Sequence, residues 1–177
     1  MEQPTTSTGE RTDLMKQIAD ELEILKRIAY KNHSQHRRGR YFGALKMTQR
    51  KVELLLKFDW SIEAKSLKIL EDASSVKDLN KSLLEIGNNL VNMARMAKIA
   101  KQANARSRLA ARKFSALVAQ GFFLPFAVVC LALVSHLAEL SLKFEHFARV
   151  SSSFFWPSQR RVFFVLVVLG LNHFNHR

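Results

Sequence analysis

Residues 31–43, KNHSQHRRGRYFG, hold the densest chemistry in the chain. Lys31, Arg37, Arg38 and Arg40 are cationic, and His33 and His36 can donate or accept a proton. Asn32, Ser34 and Gln35 add short hydrogen-bonding groups, and Tyr41 and Phe42 follow directly. No Asp or Glu occurs between Glu23 and Glu53. Unopposed positive charge beside hydrogen-bonding and aromatic groups neutralises phosphates and contacts bases. Arg37, Arg38 and Arg40 are expected on phosphate, with Lys31, Asn32, Gln35 and His36 beside them and Lys46 and Arg50 further on. Tyr41 and Phe42 stand at helical spacing from Leu45, so packing is expected of them ahead of base stacking.

A second basic surface is expected from Lys98, Lys101, Arg108 and Arg112, whose spacings of 3, 7 and 4 keep them on one side of a helix. Around them lie Arg95, Arg106 and Lys113, and no acid occurs between Glu85 and Glu139. An ordinary solvated helix face mixes signs. The alternative for both surfaces is a plain charged face.

Nothing in the chain reads as catalytic. Glu21 and Glu23 fall on the charged side of a predicted helix, and there is no Gly-rich phosphate loop or nucleophile elbow. His33 and His36 could share a metal at three-residue spacing. A zinc site wants about four ligands, and no Cys lies near them, so neither metal nor cofactor is expected. His136 and His146 are too remote in sequence to complete a motif.

The elements that must carry these residues read as helices. Six Gly and three Pro in 177 residues, with Leu, Ala, Lys, Arg and Glu abundant, favour an all-α chain. A helix is predicted from Thr12 as N-cap, with Leu14, Ile18, Leu22, Leu25 and Ile28 as its apolar stripe and a Glu23–Arg27 pair on its surface. A bend over Asn32–His36 leads to a second helix from about Gln35 to Lys57, with Tyr41, Leu45, Val52 and Leu56 on one side. The two form an antiparallel hairpin that puts the basic cluster at its tip.

Residues 58–75 are less regular: Asp59 or Ser61 could cap a short helix through Leu70, and Ser75 with Asp78 resembles a capping box. A long helix follows, with Leu79, Leu83, Ile86, Leu90, Met93, Ala97 and Ala100 as a heptad-like seam. Gly87-Asn88-Asn89 could kink it.

Phe114–Ala138 contains no Lys, Arg, Asp or Glu. A break at Gly121, with Pro125 in a new first turn, splits it into a helix end and a strongly apolar helix over about 122–150. The run is also long enough to span a bilayer, with Arg112 and Lys113 as cytoplasmic anchors. Ser151–Ser153 and Pro157 are expected to end the apolar helix, leaving an atypical apolar tail over 151–177. Residues 1–11 are polar, Thr-rich and expected to be disordered, without the features of a secretory signal.

The net charge of +13 calls for a polyanionic partner, nucleic acid or anionic membrane. The single cysteine, Cys130, lies in an apolar run and reads as a small buried hydrophobe inside a cell.

Residues 28–56, IAYKNHSQHRRGRYFGALKMTQRKVELLL, resemble the family that includes the RNase MRP-specific protein subunit of fungi and the nucleolus and neural progenitor protein of animals and plants. The resemblance lies in an Asn-x-x-Gln-His-Arg-like element (Asn32, Gln35, His36, Arg37), an aromatic pair (Tyr41, Phe42) and a helix with Leu45 and Arg50. A second similarity is ARSRLAARKFSALVAQGFFLPFAVVCLALVSHLAEL. Together these cover about residues 12–150, patchily between 58 and 90. The resemblance implies a helical RNA-binding domain over 12–150, a nucleolar location, and non-catalytic work in ribosomal RNA processing. The implied partners are structured RNA, RNase MRP RNA or pre-rRNA, and other ribonucleoprotein subunits. The family usually continues into Lys-rich sequence where this chain turns apolar at Ser151, which suggests a truncated isoform or an imperfect gene model. Two rivals differ in class: a membrane protein spanning at about 114–138, and a scaffold that binds only other proteins.

Overall fold

The computed structural model describes residues 7–57 and 76–169, with side-chain surroundings within 9–57 and 88–149. It is all helical, with no strand among the described residues. The helices are α1 (Ser7–Lys31), the single turn α2 (His33–His36), α3 (Arg40–Leu56), α4 (Val76–Ala119) and α5 (Leu124–Leu169).

The hairpin of α1 and α3 forms as its periodicity predicts. Ile18, Leu22 and Leu25 are buried, with Leu14 and Ile28 at the edges of the same stripe. Gln49 Nε2 donates to the Leu25 carbonyl at 3.3 Å and Lys26 pairs with Glu53 at 2.7 Å, while His33 meets Phe42 nearer the tip, an order of contacts that makes the two helices antiparallel. Glu23 and Arg27 form the expected pair.

Helix α4 is roughly 65 Å long at 1.5 Å per residue and runs unbroken through Gly87-Asn88-Asn89. Its seam continues past residue 97 as Ala100, Ala103, Ser107, Ala110 and Phe114, all fully buried. These small residues let α5 approach closely, through Ala127, Cys130, Val134, Ala138 and Ser141. Asn104 Nδ2 donates to the Ala138 carbonyl at 2.7 Å across that contact. Burial pushes the Cys130 thiol up to about 12, which leaves it an inert packing group.

Several boundaries differ from the sequence reading. Helix α1 begins at Ser7, within the stretch expected to be disordered. Thr12 lies inside it, its hydroxyl bonded back to the Gly9 carbonyl at 2.7 Å instead of capping forward. Helix α3 begins at Arg40, because Gly39 takes an extended conformation (φ −73°, ψ 133°) and acts as its N-cap. Helix α5 does not stop at Ser151–Ser153 or Pro157 and continues to Leu169. Serine costs a helix little, and the proline, which removes one backbone donor and crowds the carbonyl one turn back, is carried within the helix. The expectations for 58–75 lie outside the described residues.

The apolar run 114–138 is not one helix. It folds back at residues 120–123, where Gly121 (φ 73°) and Phe123 (φ 51°) take left-handed conformations. Leu124–Arg149, 26 residues with an 18-residue window of mean hydropathy 1.8, is long and apolar enough to cross a membrane by length and composition. Its Cys130, Val134, Leu137, Leu140 and Phe144 are buried against the bundle.

Candidate nucleic-acid interface

The hairpin tip is built from tight local hydrogen bonds. Asn32 closes α1: its backbone N–H and its side-chain Nδ2 both donate to the Ile28 carbonyl, at 3.1 and 2.9 Å. The Arg37 N–H then returns to the His33 carbonyl at 2.9 Å and the Gly39 N–H to the His36 carbonyl at 2.8 Å. A Cβ on Gly39 would lie 2.5 Å from a carbon of the Tyr41 ring, so the ring folds over the bare glycine backbone.

That ring belongs to an aromatic knot. His36 is buried, its Nδ1 2.7 Å from the Tyr41 hydroxyl. It stacks on Phe126 (centroids 4.2 Å apart, planes 2° from parallel) and meets Phe123 edge-on at 4.7 Å. Phe114 lies edge-on to both Tyr41 and Phe126, at 5.7 and 5.8 Å. The tip of the α1–α3 hairpin is thereby fastened to the α4–α5 corner. Burial lowers the His36 pKa from its ordinary 6.5 and raises that of Tyr41 from its ordinary 10.0. His36 is therefore a neutral packing and hydrogen-bonding group.

The structure sorts the predicted contacts by exposure. Lys31, Gln35, Arg37, Arg38, Arg40 and Arg50 are exposed, and Lys46 is half-buried with its ammonium 5.6 Å from the centre of the Phe42 ring. Asn32 is held by the Ile28 carbonyl and His36 is enclosed in the knot, so neither is offered to a ligand as the arginines are. Tyr41 and Phe42 are packing residues, as expected. Among the described residues no three of His, Cys, Asp or Glu come together in a way that could hold a metal ion.

Three residues of the first basic cluster converge with one named beside the second. Arg40, Lys46 and Arg50 of α3 line a groove of about 510 Å³, closed on its far side by Leu109 and Lys113 of α4. No carboxylate among the described residues lines this groove. Among the described residues none of its four cations has an ion-pair partner, in contrast to Lys26 with Glu53 or Lys143 with Glu139. The sequence groups Lys113 with the second basic surface, and only the packing of α3 on α4 brings it to the first. Lys98, Lys101, Arg108 and Arg112 are exposed. At 100° per residue they span an arc of roughly 80° on the outer side of α4, away from its buried seam, and do not enter the groove.

No family model matches the chain, and no curated protein or solved structure is significantly similar to it.

Proposed function

We propose that this chain is a non-catalytic RNA-binding subunit of a ribonucleoprotein, with the RNA backbone seated in the groove between α3 and α4. The observation that carries this reading is the convergence of Arg40, Lys46, Arg50 and Lys113 on one concave site with no carboxylate among the described residues of its lining. Cations held apart by helices repel one another until a polyanion enters, and each phosphate bound releases condensed counterions. Arg37 and Arg38 at the tip extend the contact, and the outer stripe of Lys98, Lys101, Arg108 and Arg112 flanks it. His36 works at one remove, fixing where the arginines stand. A narrower assignment, to an RNase MRP-like nucleolar particle acting in ribosomal RNA processing beside other protein subunits, rests on the sequence resemblance at 28–56.

The test is RNA binding by the full chain across a salt series. Changing Arg40, Lys46, Arg50 and Lys113 together to Ala should lower the salt slope by about 0.7–1 per cation removed. An unchanged affinity and slope would leave the protein-only scaffold as the better reading.

One observation favours a second reading. Leu124–Arg149 is apolar enough to span a bilayer, and Leu124, Val128, Val129 and Leu142 face outward from the bundle. Carbonate extraction separates the two: an RNA-particle subunit leaves the membrane pellet, whereas a spanning protein remains in it.

A further inference from the structure

On the other flank of Lys46 lies a smaller hollow of about 190 Å³, between the end of α1 and the start of α3. Its lining includes Tyr30, His33, Lys46 and Gln49. Tyr30 is 84% exposed, the most exposed of the large apolar and aromatic residues described. An exposed aromatic standing alone needs no explanation. This one borders a concavity whose other walls are Ala29 and the polar or cationic Lys26, His33, Lys46 and Gln49, and Lys46 lines both this hollow and the phosphate groove.

The neighbouring groups are already positioned. Gln49 Nε2 donates to the Leu25 carbonyl, which fixes the amide and leaves its Oε1 without a described partner. His33 is held edge-on to Phe42 at 5.8 Å. Lys26, also at the rim, is occupied by Glu53, so Lys46 is the wall's unpaired cation among the described residues.

We infer that the hollow of Tyr30, His33, Lys46 and Gln49 is a subsite for an unpaired nucleobase, with Tyr30 as the stacking surface. The inference rests on the reading of the adjacent groove as a phosphate site and narrows it: the RNA contacted here is single-stranded, a loop or an end of a structured molecule. A base in a duplex is already stacked on both faces, whereas one splayed out can lie against an aromatic ring. Lys46, shared by both hollows, would hold the phosphate next to that base. Gln49 Oε1 would accept from an imino or exocyclic amino group.

The experiment uses the full chain with one RNA of about 12 nucleotides, offered single-stranded and as its blunt duplex, read by fluorescence anisotropy. Tyr30→Ala should weaken single-strand binding about tenfold and leave the duplex unchanged, while Tyr30→Trp should restore single-strand binding. Lys46→Ala with Arg50→Ala should weaken both forms. If Tyr30→Ala lowers both RNAs equally, or neither, the base subsite is overturned while the groove stands. If the Lys46 and Arg50 changes affect neither RNA, the groove reading fails on its own evidence. If the unaltered chain binds neither RNA, both fall. Because Tyr30 is almost fully exposed, its replacement leaves the core untouched, and circular dichroism of each variant checks this directly.

Discussion

Arg40, Lys46 and Arg50 share a groove with Lys113 of a neighbouring helix, whereas Lys98, Lys101, Arg108 and Arg112 stand in a row on α4 alone. Both sets are cationic and free of ion pairs among the described residues. They differ in what holds them. The row exists wherever α4 is helical; its ends lie roughly 21 Å apart, well beyond the ~8 Å over which salt leaves exposed charges in touch. Only near neighbours along it, Lys98 with Lys101 and Arg108 with Arg112, lie close enough to act together. The groove exists only where α3 packs on α4, and there several charges bear on one volume. Composition makes a surface attractive to polyanions, but tertiary packing makes it a site.

The largest effect should come from the residue that holds the packing. Phe114 is fully buried and touches both Tyr41 and Phe126. Phe114→Ala should cost about 3–5 kcal/mol in urea denaturation. RNA binding by the fraction still folded should fall toward what the outer row alone supplies. A loss under about 1 kcal/mol would mean that the knot does not hold the groove together, and the contrast between the two surfaces would lose its cause.

A smaller effect follows from His36. Its folded pKa lies below the ordinary 6.5, so the unfolded chain binds the proton more readily. Stability is therefore full above about pH 6.5 and falls as pH drops from there toward the lowered folded value. His36→Gln should flatten that decline, measured as the difference in denaturation midpoint between pH 7 and pH 5. The groove should weaken with the knot in acid, while the outer row, which depends on α4 alone, should not. An equal pH slope in both proteins would place the imidazole outside the stabilising contact.

These contrasts mark how far sequence reasoning reached. The α1 stripe, the hairpin and the fold-back near Gly121 were legible because each is written in local spacing or in a glycine that a left-handed turn requires. The burial of His36 was not, because its partners Phe123 and Phe126 lie almost ninety residues downstream and a histidine among arginines reads as solvent-facing. The place of Lys113 in the groove and the concavity beside Tyr30 were hidden for the same reason: each depends on a neighbour on another helix. The end of α5 was misread because three serines and a proline were given more weight than the helix-compatible residues on both sides.

The smallest effect sharpens the comparison most. Lys98, Lys101, Arg108 and Arg112 changed together to Ala should leave stability almost untouched, since alanine is the best helix former and exposed substitutions usually stay within about 0.5 kcal/mol. RNA affinity should fall by less than it does with the four groove residues, although the same number of charges is removed. Salt dependence decides why. If the row only raises the local potential, its loss lowers the association rate and leaves dissociation alone, because rim charges act on encounter whereas seated contacts act on release. Stopped-flow kinetics on both variants separates these: the row variant should change association, the groove variant dissociation. Should both variants lose affinity equally and through dissociation, the row is a second seat for RNA. The bundle would then grip its ligand from two sides of α4.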